Sequence, residues 1–185
     1  PTLFFGAEWL RVRDSWNQPA LQQFLNLQIA KGLRGELYGG DEPLPAGLQD
    51  QRNDYLAEYK EEMISLRDAG MLDSLAGPEA FLSMSYNYNS SVQVYVNSPE
   101  LLTLGFTDYA YLGGAHGMFG TQVATYDLKS QRVLVLQDIL KPGYERVMGR
   151  ALDRAVRVKY GLQPKQALDA ILFEKEIQAN DNFGI

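Results

Sequence analysis

The hydrophobic pattern of this chain passes from a helical to a strand period near residue 80, and that change limits the fold more than any other feature. Before it, Leu21, Phe24, Leu25, Ile29, Leu33 and Leu37 recur at the spacing of a helix with one apolar side. After it, Leu82, Met84, Tyr86 and Tyr88 alternate with Ser83, Ser85, Asn87 and Asn89, as the two sides of a half-buried strand do. Helices and strands that are segregated along a chain argue for an α+β fold rather than an alternating α/β one. The expected architecture is helices packed on an antiparallel sheet in two small modules, a helix-rich 1–78 and a sheet-rich 79–185.

The remaining elements follow from the same reading. Residues 3–13 predict a strand, through Phe4, Phe5, Trp9, Leu10 and Val12. A helix is expected over 18–38, with Asn17 as its cap, Pro19 in its first turn and Gly39-Gly40 at its end. Pro43, Pro45 and Gly47 predict a loop over 41–50, followed by a helix over about 50–68 with Tyr55, Tyr59, Met63 and Leu66 inward. Further strands are expected at 82–88, 92–96, 100–112, 121–128 and 132–137, with turns at Asn89-Ser90 and Lys129-Ser130-Gln131. A helix over 142–160 would bury Tyr144, Val147, Met148, Ala151, Leu152 and Ala155 and stop at Gly161, and a shorter one would cover 164–177. The end, Asn182 to Ile185, resembles the start of another strand, so the sheet is expected to lack its last strands.

Composition excludes several chemistries. There is no cysteine, hence no disulfide, thiolate zinc site or thiol nucleophile. The single histidine, His116, rules out a multi-histidine metal site. A formal net charge of −6 disfavours nucleic acid as a general partner. No apolar run approaches the roughly 20 residues that span a bilayer, so a membrane role would need an anchor lost from the start of the chain.

The sharpest local motif runs from Tyr109 to Gly117, Tyr-Ala-Tyr-Leu-Gly-Gly-Ala-His-Gly. Glycines permit positive φ and close backbone approach, so this segment can form a ligand site from Tyr109, Tyr111, Gly113, Gly114 and His116. Equally, it can be a demanding strand connection whose histidine is bonded into the fold. It lacks the lysine and Ser/Thr of a phosphate loop, and no cofactor is expected. Catalysis by His116 with an aspartate is an alternative that lacks an adjacent serine, and two carboxylates among Asp108, Asp127 and Asp138 at the correct separation could run glycoside hydrolysis. Acids near strand ends are more often turn residues.

A second feature is the row Arg146, Arg150, Arg154 and Arg157, which shares one helix face. Arg150 and Arg154 are candidate contacts for an anionic partner or glycan. A solvated face paired with Glu145 or Asp153 is the plainer alternative.

The string Asp108-Tyr109-Ala110-Tyr111-Leu112-Gly113-Gly114-Ala115-His116-Gly117, followed by Ala124-Thr125-Tyr126-Asp127-Leu128 and by Leu134-Val135-Leu136-Gln137-Asp138-Ile139-Leu140, resembles the RsiV-like and PdaC-like extracytoplasmic domains of bacteria. Phe24-Leu25-Asn26-Leu27-Gln28-Ile29 resembles the helix of their N-terminal module. Leu112 stands where that pattern has Ser or Thr. The resemblance implies an α+β pair of modules in the periplasm or at the cell surface, often behind a lipid anchor. Members include lysozyme-sensing anti-sigma factors and companions of peptidoglycan deacetylases. The function it implies is non-enzymatic binding of a lysozyme-like protein or of cell-wall glycan. A cell-wall enzyme and an accessory structural module are the alternatives.

Overall fold

A computed structural model describes residues 2–13, 17–35, 43–71, 84–113, 115–172 and 174–185. Its order is β1 (Leu3–Glu8), α1 (Pro19–Arg34), α2 (Leu44–Asp68), β2 (Tyr86–Asn97), β3 (Leu101–Leu112), β4 (Met118–Asp127), β5 (Arg132–Val133), α3 (Leu136–Ile139), α4 (Tyr144–Tyr160) and α5 (Asp169–Leu172). The strands form one sheet in the order β1-β2-β3-β4-β5. Only the β1–β2 pair is parallel; the other three are antiparallel. The chain is thus α+β, with helices on a mostly antiparallel sheet. The positions expected at Gly39-Gly40, Leu82 and the 78/79 boundary lie outside the described residues.

Register sorts the sheet into two faces. Tyr86, Tyr88, Ser90 and Val92 of β2 share one face with Leu104, Phe106 and Asp108 of β3. This face meets α1, which buries Leu21, Leu25, Ile29, Ala30 and Leu33. Ile29, Leu33, Val92, Leu104, Phe106 and Tyr126 form the core cluster. Contact here is close enough to require glycine: a Cβ on Gly32 would lie 2.4 Å from the Phe106 ring. At the other end of the face, α2 lays Tyr55 on Tyr88 and Tyr59 on Tyr86.

Several expectations need correction. The second helix begins at Leu44, not near residue 50, because Pro43 forms its N-cap and a proline fits the first turn without losing a needed N–H. The first helix is capped at Gln18 with no side-chain bond, so Asn17 is not the cap. Asn89-Ser90 is mid-strand rather than a turn. The residues pair with Tyr109 and Asp108, and Ser90 is buried. The interruption in β2 is instead a bulge at Tyr95, whose ring covers Gly105. The hairpin expected over 132–137 pairs only at Arg132 and Val133, then turns into α3, whose start Asp138 closes by accepting from the Val135 N–H. The last helix is four residues, not the fourteen of 164–177. The helix α4 forms as expected and ends at a left-handed Gly161, but none of its residues is buried. Periodicity gave it an apolar side; no second layer among the described residues covers that side.

Candidate functional site

The face of the sheet turned away from α1 and α2 carries the residues singled out by sequence. Three rows cross it. Phe4, Asn87 and Tyr111 form the first; Gly6, Asn89, Tyr109 and Phe119 the second; Glu8, Ser91, Thr107 and Thr121 the third. Tyr109 and Tyr111 therefore sit side by side on β3, two residues apart and on one side. The rows are almost free of charge and mix aromatic rings with carboxamides and hydroxyls. The lower part of the same face is occupied by the C-terminal segment, where Thr103 Oγ1 donates to the Ile185 carbonyl at 2.7 Å and the Ile185 N–H donates to Thr125 Oγ1 at 3.3 Å.

The β3–β4 hairpin forms one end of this surface. Gly113 takes φ +83°, a left-handed conformation that a side chain rarely adopts. Gly117 lies under Tyr109, where a Cβ would meet the phenol oxygen at 2.6 Å. Gly113 is thus required by backbone geometry and Gly117 by the close Tyr109 ring. His116 is exposed, with Nδ1 3.3 Å from the Gly117 carbonyl. Gly114 lies outside the described residues. Beyond the loop, Met118 is 63% and Phe119 78% exposed, the largest apolar exposure on the sheet. Neither residue was singled out by sequence, and nor were Asn87 and Asn89. For Asn87 and Asn89, alternation with the buried Tyr86 and Tyr88 is the signal that would have found them.

The three aspartates divide by environment. Asp127 accepts from the N–H groups of Lys129 and Ser130, which hold its carboxyl below the usual range. Asp138 is held low by the Val135 N–H and by Arg132, 2.7 Å away. Both are turn and cap residues. Asp108 differs: it points under α2, accepts from Tyr88 at 3.2 Å, and burial pushes its pKa up. Asp108 faces the helices while Tyr109 and Tyr111 face away, so sequence adjacency does not place them in one site.

On α4, Arg146, Arg150 and Arg154 are exposed, whereas Arg157 is held by Asp153 at 2.8 Å and by the carbonyls of Gln163 and Gln166. The arginine row thus splits into a solvent-facing part and a structural anchor. Among the described residues no group of three or more His, Asp or Glu side chains could hold a metal ion, and no helix is long and apolar enough to cross a membrane.

These features define an α+β module with helices on one sheet face and an aromatic-amide surface on the other. The chain belongs to the PdaC family: the family model described as "Deacetylase PdaC" matches residues 14–119, which include α1, α2, β2, β3 and the first two residues of β4. A solved structure of a DUF3298 family member from Bacteroides fragilis is similar over 91% of this chain and 66% of its own, at 23% identity and a TM-score of 0.71, so the two share a fold. A DUF3298 family protein from Pseudomonas aeruginosa PAO1 matches at 24% identity over 50% of this chain and 51% of its own, with a TM-score of 0.37. The chain thus spans less than two thirds of either protein's length. No curated protein matches it.

Proposed function

We propose that this chain is a non-enzymatic binding domain of the bacterial envelope, working outside the cytoplasm, and that it contacts a lysozyme-like protein or cell-wall glycan through the open sheet face and the β3–β4 hairpin. The observation that carries this reading is the exposure of Phe119 beside its ladder partner Tyr109. Exposed aromatic residues grouped on a rigid element are costly in water and characteristic of contact surfaces. Arg150 and Arg154 supply an exposed cationic surface on α4 for acidic groups of the same partner. The extracytoplasmic location and a lipid anchor follow from the resemblance carried by the Gly-Gly-Ala-His-Gly string.

The test is retention of the full chain on immobilised lysozyme and on purified peptidoglycan. Phe119→Ser and Tyr109→Ser should each weaken retention at least tenfold, while His116→Ala should weaken it less. Retention on neither matrix, or retention that ignores both aromatic substitutions, removes the proposal.

A further inference from the structure

The outer edge of β4 is filled by the chain along only part of its length. In an antiparallel ladder the N–H and C=O of one residue point the same way, and successive residues alternate. The Thr125 carbonyl accepts from Leu134 on the side away from β3. Asn182 spans the next two outward positions: its Oδ1 accepts from the Val123 N–H at 2.6 Å, and its Nδ2 donates to the Thr121 carbonyl at 3.0 Å. Thr125, Val123, Thr121 and Phe119 therefore all turn their backbone groups away from β3. The chain's own segments occupy this edge up to the Thr121 carbonyl. Beyond it, the Thr121 N–H and both backbone groups of Phe119 have no partner among the described residues.

Exposed strand edges are ordinarily guarded by charge, proline or a bulge. This one has none of the three. Met118 to Gln122 are all exposed, their register with β3 is unbroken, and the chain carries no Asp, Glu, Lys or Arg between Asp108 and Asp127. We infer that this edge pairs with the same edge of a second copy of the chain, antiparallel about a two-fold axis at Phe119. In that register the two Phe119 residues exchange N–H···O bonds, and each Thr121 N–H lies opposite the Gly117 carbonyl of the other copy. Directly opposed residues project to the same face, so the two Phe119 rings, each 78% exposed alone, cover one another. The edge thus supplies its own apolar partner. Its neutrality matters for a chain of net charge −6, because copies meeting here add no like-charge contact. Pairing with the β1 edge of another copy would set Glu8 into the contact and would not close. Asn182 limits the length of the free edge, so the interface belongs with the small, reversible ones.

Sedimentation of the full chain over a concentration series tests it. A monomer–dimer equilibrium is expected. Amide exchange at Phe119 and Thr121 should slow as dimer accumulates, while Val123, already bonded to Asn182, should not change. Thr121→Pro removes an outward N–H and no bond to β3, and should weaken dimerisation about tenfold. Phe119→Lys sets two like charges opposite each other across the axis and should weaken it about tenfold as well, with part of the loss recovered in high salt. Phe119 is exposed, so this variant folds and keeps the test decisive if Thr121→Pro does not. A monomer at every concentration, a dimer that ignores Phe119→Lys, or amide exchange that ignores concentration overturns the inference. A dimer lost in Phe119→Lys but kept in folded Thr121→Pro reports contact between rings without strand pairing, and likewise overturns it. Species that grow past the dimer overturn it too, since they place β4 on the β1 edge of the next copy. The measurement contains neither lysozyme nor peptidoglycan, so failed capture on those matrices leaves its result intact.

Discussion

Tyr88 donates its phenolic hydrogen to Oδ1 of Asp108 across 3.2 Å, beneath the stacked rings of Tyr55 and Phe5. The pair links β2 to β3 on the face covered by α2. Burial raises both the Tyr88 and the Asp108 pKa. A carboxyl with a raised folded-state value holds its proton more tightly folded than unfolded.

Its effect on stability has a definite sign. From the unfolded value near 3.8 up through the raised folded value, the native state binds more protons than the unfolded state. Asp108 therefore makes stability fall as pH rises through that window. Asp108→Asn removes the titration and keeps an acceptor for Tyr88. Urea midpoints measured from pH 3.5 to 7 should show the variant gaining on the parent as pH rises, by an amount reduced by solvent screening because Asp108 is only half-buried. A parent–variant difference that does not vary with pH would contradict this reading.

Gly32 and Gly149 are both mid-helix glycines, and they should respond oppositely to alanine. On α1, the Cβ of Gly32→Ala would enter the Phe106 ring, and Phe106 is 1% exposed with no room to withdraw. Overpacking of this kind costs about 1–3 kcal/mol, more than the roughly 1 kcal/mol that alanine gains in helix propensity. On α4, a Cβ on Gly149 meets only the Ile177 carbonyl at 3.6 Å, an ordinary contact. Thermal melts should therefore place Gly32→Ala below the parent and Gly149→Ala above it.

Buried hydroxyls tie the C-terminal segment to the sheet. Thr103 and Thr125 are 1% and 0% exposed, their Oγ1 atoms are 3.0 Å apart, and both bond Ile185. Thr103→Val leaves Thr125 and the Ile185 carbonyl short of a partner, at a cost of about 1–3 kcal/mol. The double variant Thr103→Val/Thr125→Val should cost less than the sum of the two singles, since each single strands the other's hydroxyl. Additive losses in denaturant melts would mean that the hydroxyls act separately.

The sequence made the helices and the sheet legible because each has its own apolar period, and it aligned Tyr109 with Tyr111 through the same rule. It misread Asn89-Ser90 as a turn because both residue types favour turns. In the fold, pairing of Asn89 with Tyr109 and Ser90 with Asp108 overrides that local preference. The surface around Phe119 was invisible for a related reason. Exposure depends on which strand stands at the uncovered part of the sheet, and a strand's own residues do not encode its neighbours. The same holds for α4, whose pattern set its apolar side but not whether anything would cover it.

Ser90 gives the last prediction. It is 3% exposed, and its Oγ has no hydrogen-bond partner among the described residues. A buried hydroxyl left unsatisfied costs about 1–3 kcal/mol relative to its hydrated state. Its neighbours across the ladder are Ala7 on β1 and Asp108 on β3, so the site already accommodates an alanine beside it. Ser90→Ala removes the unsatisfied group and loses only one small atom of packing. The variant should match or exceed the parent, by up to about 1 kcal/mol, in urea midpoints at neutral pH. Ser90→Val adds two methyl groups where one oxygen stood, and overpacking should make it less stable than Ser90→Ala despite the strand preference of valine. A clear loss in Ser90→Ala would instead mean that the hydroxyl has a partner in solution, with Asp108 across the ladder the first residue to examine by a double-mutant cycle.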